Sequence, residues 1–560
     1  MEINDRNNAD FIPGTFNIYT QSGLKHEGAD SVADNRLKMD GDIILVPQPS
    51  DSPNDPLNYS TKRKLLNFFI LAFITGFTAA TSNDAGATQD DLNEEYGITY
   101  DSMNTGAGVL FIAIGTNTLL TAPASALYGR KVSYFFCIFV GMMGAVWLSR
   151  SKDTADTIWN QLFVGASESC AEAHVQQSLS DLYFQHQLGS VLTVYILATS
   201  VGTYLGPLIA GFITQYCGFR WVGYVAIIIS FFVLLAILFL MDNTYFDRNK
   251  YNKKLLDEHR KVDNMDTKND KEHEADSRDQ GQINVVETYQ ESFVSENGAK
   301  ETKNSYWYDK KLVRRAPNVI GTGFKQYMKL LFMMFRVFLF PGVIFSGFIW
   351  GLQDALLTFY LTVEDDQYYD PPYSYSDTGV ALMNIPCLIG AIIGCFFAGV
   401  LSDKFSLWMA RRNNGIQEAE SRLYFLFVPG VLSPVGLILF AVGTDQHWPW
   451  FPTYFGLVLI GFGFGAAGDV ALGYLMDAYP DMVIEMMCGV SVINNYIGMI
   501  FTFACSPWLD AMGNTHTFII LAVIEFVASM FAAVMIYYGK TIRIKTTRWY
   551  LDYCRLRDGI

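Results

Sequence analysis

The sequence predicts an all-α membrane protein with twelve transmembrane helices in two six-helix bundles. Three observations carry that prediction. Only 17% of the 560 residues are charged while 51% are hydrophobic, against roughly 25% charged in soluble domains. The charge is gathered in an N-terminal tail, a middle segment and a C-terminal tail. What remains falls into apolar runs about as long as the hydrocarbon core of a bilayer is thick.

Taken in order, residues 1–64 form a polar tail that lacks the apolar core and cleavage site of a signal peptide, so the first span is expected to direct insertion itself. Spans at about 65–88, 102–126, 132–150, 155–181, 188–214 and 220–241 make an N-terminal bundle over 65–241. Residues 242–337 are crowded with Lys, Asp, Glu and Asn and cannot bury enough apolar surface to fold alone, which predicts a largely disordered linker. Spans at about 338–362, 377–402, 423–444, 450–475, 481–508 and 514–538 make the C-terminal bundle over 338–538, and 539–560 is a tail.

Lys and Arg in the short connections set the orientation. One side collects Lys62, Arg63, Lys64, Arg130, Lys131, Lys404, Arg411, Arg412, Arg422, Lys540, Arg543, Lys545 and Arg548, and is expected to be cytoplasmic together with both termini and the linker. The opposite connections are acidic, with Asp90, Asp91, Glu94, Glu95 and Asp101 in one and Glu364, Asp365, Asp366, Asp370 and Asp377 in another. These read either as solvated loops or as a negative vestibule that concentrates cations.

A net charge of −15 without a basic stripe argues against a nucleic-acid partner and against anionic cargo. The eight cysteines are scattered singly, so neither disulfides nor a metal site is expected, and no cofactor is implied. His174 and Ser169 share a span, but no nucleophile elbow or metal-ligand pair accompanies them, so the chain does not read as an enzyme.

Charges inside a span are costly and need a partner, a wet cavity or a function. Here they share a sign: Asp84 in span 1, Glu168 and Glu172 in span 4, Asp354 in span 7, Asp469 in span 10 and Glu525 in span 12, with no Lys or Arg expected deep enough to neutralise them. Glu168 and Glu172 are four residues apart and share a helix face, with Gln161, Gly165 and Gln176 on or near it. Two carboxylates so close compete to ionise, so the pair can exchange a proton for a cation. A hydrogen-bond network of permanently protonated acids is the structural alternative. Asp354 is one turn from Trp350 and is followed by Tyr360, which would let an ammonium group meet an aromatic face. Asp84 has Thr81 and Thr88 on its side, and Asp469 sits among glycines that could pack tightly or bend.

Span 5 reads "SVGTYLGPLIAG", in which Gly202, Gly206 and Gly211 allow close backbone approach and Pro207 weakens the helical ladder. The connections "APASALYGRK", with Gly129, Arg130 and Lys131, and "GVLSDKFSLWMARR", with Asp403, occur once per half and suggest duplication.

At these residues the chain resembles the major facilitator superfamily, and within it the fungal drug:proton antiporter branch with twelve spans. "NDPLNYS" (54–60) is similar to the segment that precedes span 1, "GTYLGPLIAG" to the antiporter motif, and "GVLSDK" to the second-half loop motif. "FIPGTFNIY", "AATSNDAGA", "LFVGASESCAEA" and "SLSDLYFQHQLGSVLTVYI" resemble yeast histidinol and polyamine carriers of that branch. The resemblance covers 54–560 apart from most of the linker. It implies a major facilitator fold with alternating access and a cavity lined by spans 1, 4, 7 and 10, the spans that carry five of the six acids. Glu525 has no role in that scheme. Two departures stand out: Ala126 occupies a position that is usually acidic, while Asp403 keeps the charge in the second half, and Gln161 stands where span 4 usually has an arginine.

The expected function is proton-linked uptake of polyamines (putrescine, spermidine, spermine) and related organic cations by a monomeric multi-pass carrier of the plasma membrane. Glu168 and Glu172 would couple the proton, and Glu168, Glu172, Asp354, Asp84, Trp350, Tyr360, Gln161 and Asp469 would bind cargo. The alternatives are export of cationic drugs and a nutrient sensor that transports nothing.

Overall fold

The computed structural model describes residues 11–17, 38–40, 43–45, 47, 49–246, 303–314, 323–369 and 371–558. Each of the twelve expected segments is helical. The first half contains α1 (Thr61–Asn83), α2 (Tyr100–Tyr128), α3 (Arg130–Leu148), α4 (154–182), α5 (Gln185–Cys217) and α6 (Arg220–Phe239). The second contains α7 (Pro341–Tyr368), α8 (384–412), α9 (Pro429–Asp445) and α10 (Trp450–Ala478). A long run, Val483–Met530, then breaks at Gly513, whose φ of 74° favours glycine, into α11 (483–512) and the start of α12. Ala532–Asp558 carries α12 onward, so the expected C-terminal tail is helical as far as Asp558.

Ten helical stretches among the described residues are long and apolar enough to cross a membrane. One of them, Pro480–Arg557, holds both α11 and α12, and α4, with its polar stripe, is not among the ten. α4 opens on a reciprocal capping box between Asp153 and Asp156, and α7 begins with Pro341 in its first turn, where a missing N–H costs nothing.

The halves meet along α2 against α11 and along α5 against α8 and α10. In the first seam Thr118 accepts from Ser491 at 3.2 Å, Thr116 meets Tyr496 at 3.2 Å and Asn104 donates to Ser506 at 3.2 Å. Gly202 and Gly206 explain the α1–α5 contact: a methyl group on Gly206 would lie 2.7 Å from Ala80 Cα, so only glycine permits the approach.

Within the described parts of the expected linker, several residues pack against the first bundle. Asp242 is 1% exposed and accepts from Arg63 at 2.8 Å and Asn67 at 2.9 Å, while Lys310 pairs with it at 2.8 Å. Lys131 donates to the Lys310 carbonyl at 2.7 Å. Scattered apolar and charged residues therefore find partners on the bundle that local composition could not show. The remainder of that stretch, 247–302 and 315–322, lies outside the described residues.

Near the chain start, Thr15–Asn17 pairs antiparallel with Ile416–Glu418, between α8 and α9. Gly14, at φ 73°, lies against the backbone at the end of α10. Arg543 of α12 is 1% exposed and donates to Glu420 at 2.8 Å, Glu418 at 2.9 Å, Thr15 at 2.8 Å and the Pro13 carbonyl. Residues 13–17 are thus tied to the second half.

Candidate binding site between the two halves

α4 places Glu168 in the regular turn that precedes a π-helical turn at Ala171–Val175, and that π turn carries Glu172. π turns are rare and are frequent at functional sites. Asp354 enters from α7 in the other half. All three carboxylates are half-buried. Glu172 lies within electrostatic reach of both Glu168 and Asp354, and Asp354 within reach of Glu168. Among the described residues none of the three forms an ion pair with Lys, Arg or His. An anionic cluster is therefore shared between the halves.

Uncharged polar groups surround the cluster. Asn494 on α11 is fully buried beside Glu172 and Asp354. Ser491 flanks Glu172, and Ser82 flanks Glu168. Neutral donors beside a carboxylate favour its charged form without neutralising it.

A cavity lies toward the acidic end of the bundle; the three carboxylates do not line it, but it reaches Ser82, which flanks Glu168, and Thr358, one turn from Asp354. Its walls include Ser82, Asn104, Asn160, Gln161, Pro207, Gly211, Glu364, Asn384 and Thr502, from α1, α2, α4, α5, α7, α8 and α11. α10 contributes nothing to it. Gln161 is where the resemblance had led one to look, 6% exposed in the wall. Asp84 is buried at the end of α1 with none of the other acids among its neighbours, although Ser82, Asn83 and Ala85 around it line the cavity.

Several expected site residues lie elsewhere. Trp350 is 2% exposed, with its ring centroid 4.9 Å from that of Phe464, so it is a packing residue in this conformation. Tyr360 belongs to a different group, donating to Asn384 at 3.4 Å, whose Nδ2 donates to Glu364 at 3.1 Å. Asp469 is fully buried below the cluster, accepts from Thr193 of α5 at 2.9 Å and feels the charge of Arg422. The expectation that no intramembrane acid has a basic neighbour is corrected at this position. Glu525 turns inward from α12 and accepts from Gln353 at 2.9 Å, which gives it a structural partner.

At the basic end, Arg422 pairs with Asp403 at 2.7 Å and Asp477 at 3.1 Å, and Ser190 of the first half donates to Asp403 at 3.4 Å. The first half shows the counterpart: Arg130 pairs with Asp181 at 3.3 Å. Gly129, at φ 97°, turns the chain into α3 against Asn243, and with Ala126 the first half lacks the acid that Asp403 supplies in the second. At the acidic end part of the expected vestibule is used up. Glu95 pairs with Arg220 at 3.1 Å, Asp91 accepts from the Phe219 N–H at 3.2 Å, and Tyr100 donates to Asp90 at 2.5 Å. The side chains of Asp365, Asp366, Asp370 and Asp377 lie outside the described residues.

A sequence profile of the Major Facilitator Superfamily matches residues 68–502. The chain is 51% identical to Protein HOL1 of Saccharomyces cerevisiae over 584 aligned residues, covering 99% of each chain. It is 45% identical to an MFS-type transporter of Schizosaccharomyces pombe, over 98% of this chain and 95% of the other. Among solved structures, the proton:xylose symporter XylE aligns with a TM-score of 0.57 at 11% identity, covering 85% of this chain and 97% of that one, a likeness of fold alone.

Proposed function

The chain belongs to the major facilitator superfamily and is a multi-pass membrane transporter, and from that premise we propose that it takes up polyamines (putrescine, spermidine, spermine) and related organic cations across the plasma membrane, coupled to protons. The observation that carries this reading is the anionic cluster of Glu168, Glu172 and Asp354, drawn from both halves and without a basic partner among the described residues. Carboxylates in a low-dielectric setting need positive charge nearby, which protons or ammonium groups supply. Because α4 and α7 belong to different halves, rocking one half against the other alters the spacing of the cluster and hence its affinity for multivalent cations. Cargo bound tightly in one arrangement is released in another as protons replace it. Each positive charge entering a negative cell also gains about 2.3 kcal/mol per 100 mV.

Asp469 belongs in this reading to the inner gate, alongside Thr193, Asp403 and Arg422, and Trp350 to the scaffold behind the cargo. The test is uptake of radiolabelled spermidine by cells that express the chain and by vesicles reconstituted with it, with and without a protonophore. Accumulation that the protonophore abolishes is expected. Vesicles that accumulate no spermidine under an imposed proton gradient and voltage would overturn the proposal.

A further inference from the structure

One carboxylate, Glu364, lines the cavity itself. Glu364 lies ten residues beyond Asp354 on α7, about 15 Å along the helix axis at 1.5 Å per residue. Sequence alone had grouped it with the solvent-facing acids of the following loop, yet it is 1% exposed and forms part of the cavity wall. Asn384 donates to it at 3.1 Å, and the Tyr360, Tyr204 and Tyr454 rings stand around it. Tyr204 of α5 is within electrostatic reach of Asp354 as well as Glu364, is 1% exposed, and its hydroxyl makes no hydrogen bond. The cavity wall also presents buried polar atoms that the protein leaves unpartnered: both amide atoms of Asn160 and the hydroxyl of Thr502.

We propose that Glu364 is a second cation subsite, so that the carrier measures the length of its cargo, with one ammonium group of a linear polyamine held at Glu364 while another reaches the deep carboxylates. This rests on the proposed function and adds a substrate preference to it. Aromatic rings around a carboxylate suit an alkylammonium group, whose charge meets the acid and whose methylenes meet the rings. Linking two subsites through one molecule raises affinity only when the molecule spans both. An extended tetraamine covers the separation; a short diamine does not.

The experiment measures KM for putrescine, spermidine and spermine in cells that express the wild-type chain, Glu364→Gln or Tyr204→Phe, with surface levels determined in parallel. Glutamine keeps the shape and can still accept from Asn384, so a purely structural Glu364 would leave all three KM values unchanged or move them together. The expected result for Glu364→Gln is a KM about tenfold higher for spermine and less than twofold higher for putrescine. Tyr204→Phe should move the same ratio in the same direction by about threefold, and it decides the matter alone if Glu364→Gln does not reach the membrane. An unchanged spermine-to-putrescine ratio, in a wild-type background that transports both, overturns the length-measuring subsite and leaves the proposed function standing. A wild-type chain that transports none of the three amines overturns both.

Discussion

Glu168, Glu172 and Asp354 face a common problem, since three carboxylates in one low-dielectric space repel one another unless protons or cations are present. Replacing one by its amide removes a charge while keeping size and hydrogen-bonding capacity. Glu172→Gln and Glu168→Gln are each expected to cut spermidine uptake more than tenfold at unchanged surface level, a loss of at least about 1.4 kcal/mol of binding or coupling. Asp354→Asn is expected to act mainly on KM, and radiolabel uptake normalised to surface immunoblotting reads both effects. Full uptake by a well-expressed Glu172→Gln protein would remove that residue from the site. The acids themselves were legible because charge in an apolar run stands out. Asn494, Ser491, Ser82 and Tyr204 were not, because uncharged polar residues are common in membrane helices and only tertiary contacts show which face the carboxylates. Glu364 was hidden for a different reason: it lies near the end of α7 at the start of an acidic stretch, and its partner Asn384 comes from another helix. Trp350 could be read as a cation partner from its spacing to Asp354, but spacing does not show that Phe464 already packs against it.

At the scale of elements, the membrane helices follow from apolar length, whereas the segments that fasten them at the basic end do not. The strand Thr15–Asn17 and the buried Arg543 illustrate the difference, since their partners are hundreds of residues away in sequence. Arg543→Ala would leave Glu420 buried without its guanidinium and Glu418 with Lys540 alone, and stranding a buried charge in this way typically costs about 3–5 kcal/mol. The purified variant should therefore unfold at lower temperature than wild type, and deletion of residues 1–17 should cost less because it leaves the ion pairs intact. Acidification acts on the same fastening. Burial works to raise the Glu418 and Asp242 carboxyls, but Lys540 and Arg543 around the first, and Arg63, Lys310 and Asn67 around the second, outweigh it and hold both below the ordinary range. Carboxylates held low stabilise the fold above their ordinary pKa, and that contribution fades as pH falls through their folded values. Thermal unfolding measured from about pH 7 down to about pH 3 should show falling stability, with a shallower slope in Asp242→Asn.

For the whole molecule, the asymmetry between the two ends decides which state is represented. The cavity lies toward the acidic end, while at the basic end Thr193 joins Asp469 and Ser190 joins Asp403 across the halves, so the basic end is the closed one. Thr362, partly exposed in the cavity wall, is then reachable from the acidic side only. Among the eight native cysteines Cys217 is the exposed one and the other seven are buried, so replacing Cys217 by serine leaves a background with little reactivity toward impermeant reagents. A cysteine placed at Thr362 in that background should be labelled by a membrane-impermeant maleimide applied to intact cells, and spermidine should slow the labelling because cargo fills the same space. Weakening the closed end with Asp469→Asn removes a charged acceptor from Thr193, shifts the population toward the opposite opening and should also slow labelling at Thr362, by a factor equal to the loss of the represented state. If labelling occurs only after the membrane is permeabilised, the cavity opens to the cytoplasm and the orientation assigned from the basic connections is reversed; if spermidine leaves the rate unchanged, the cavity is not the path of the cargo.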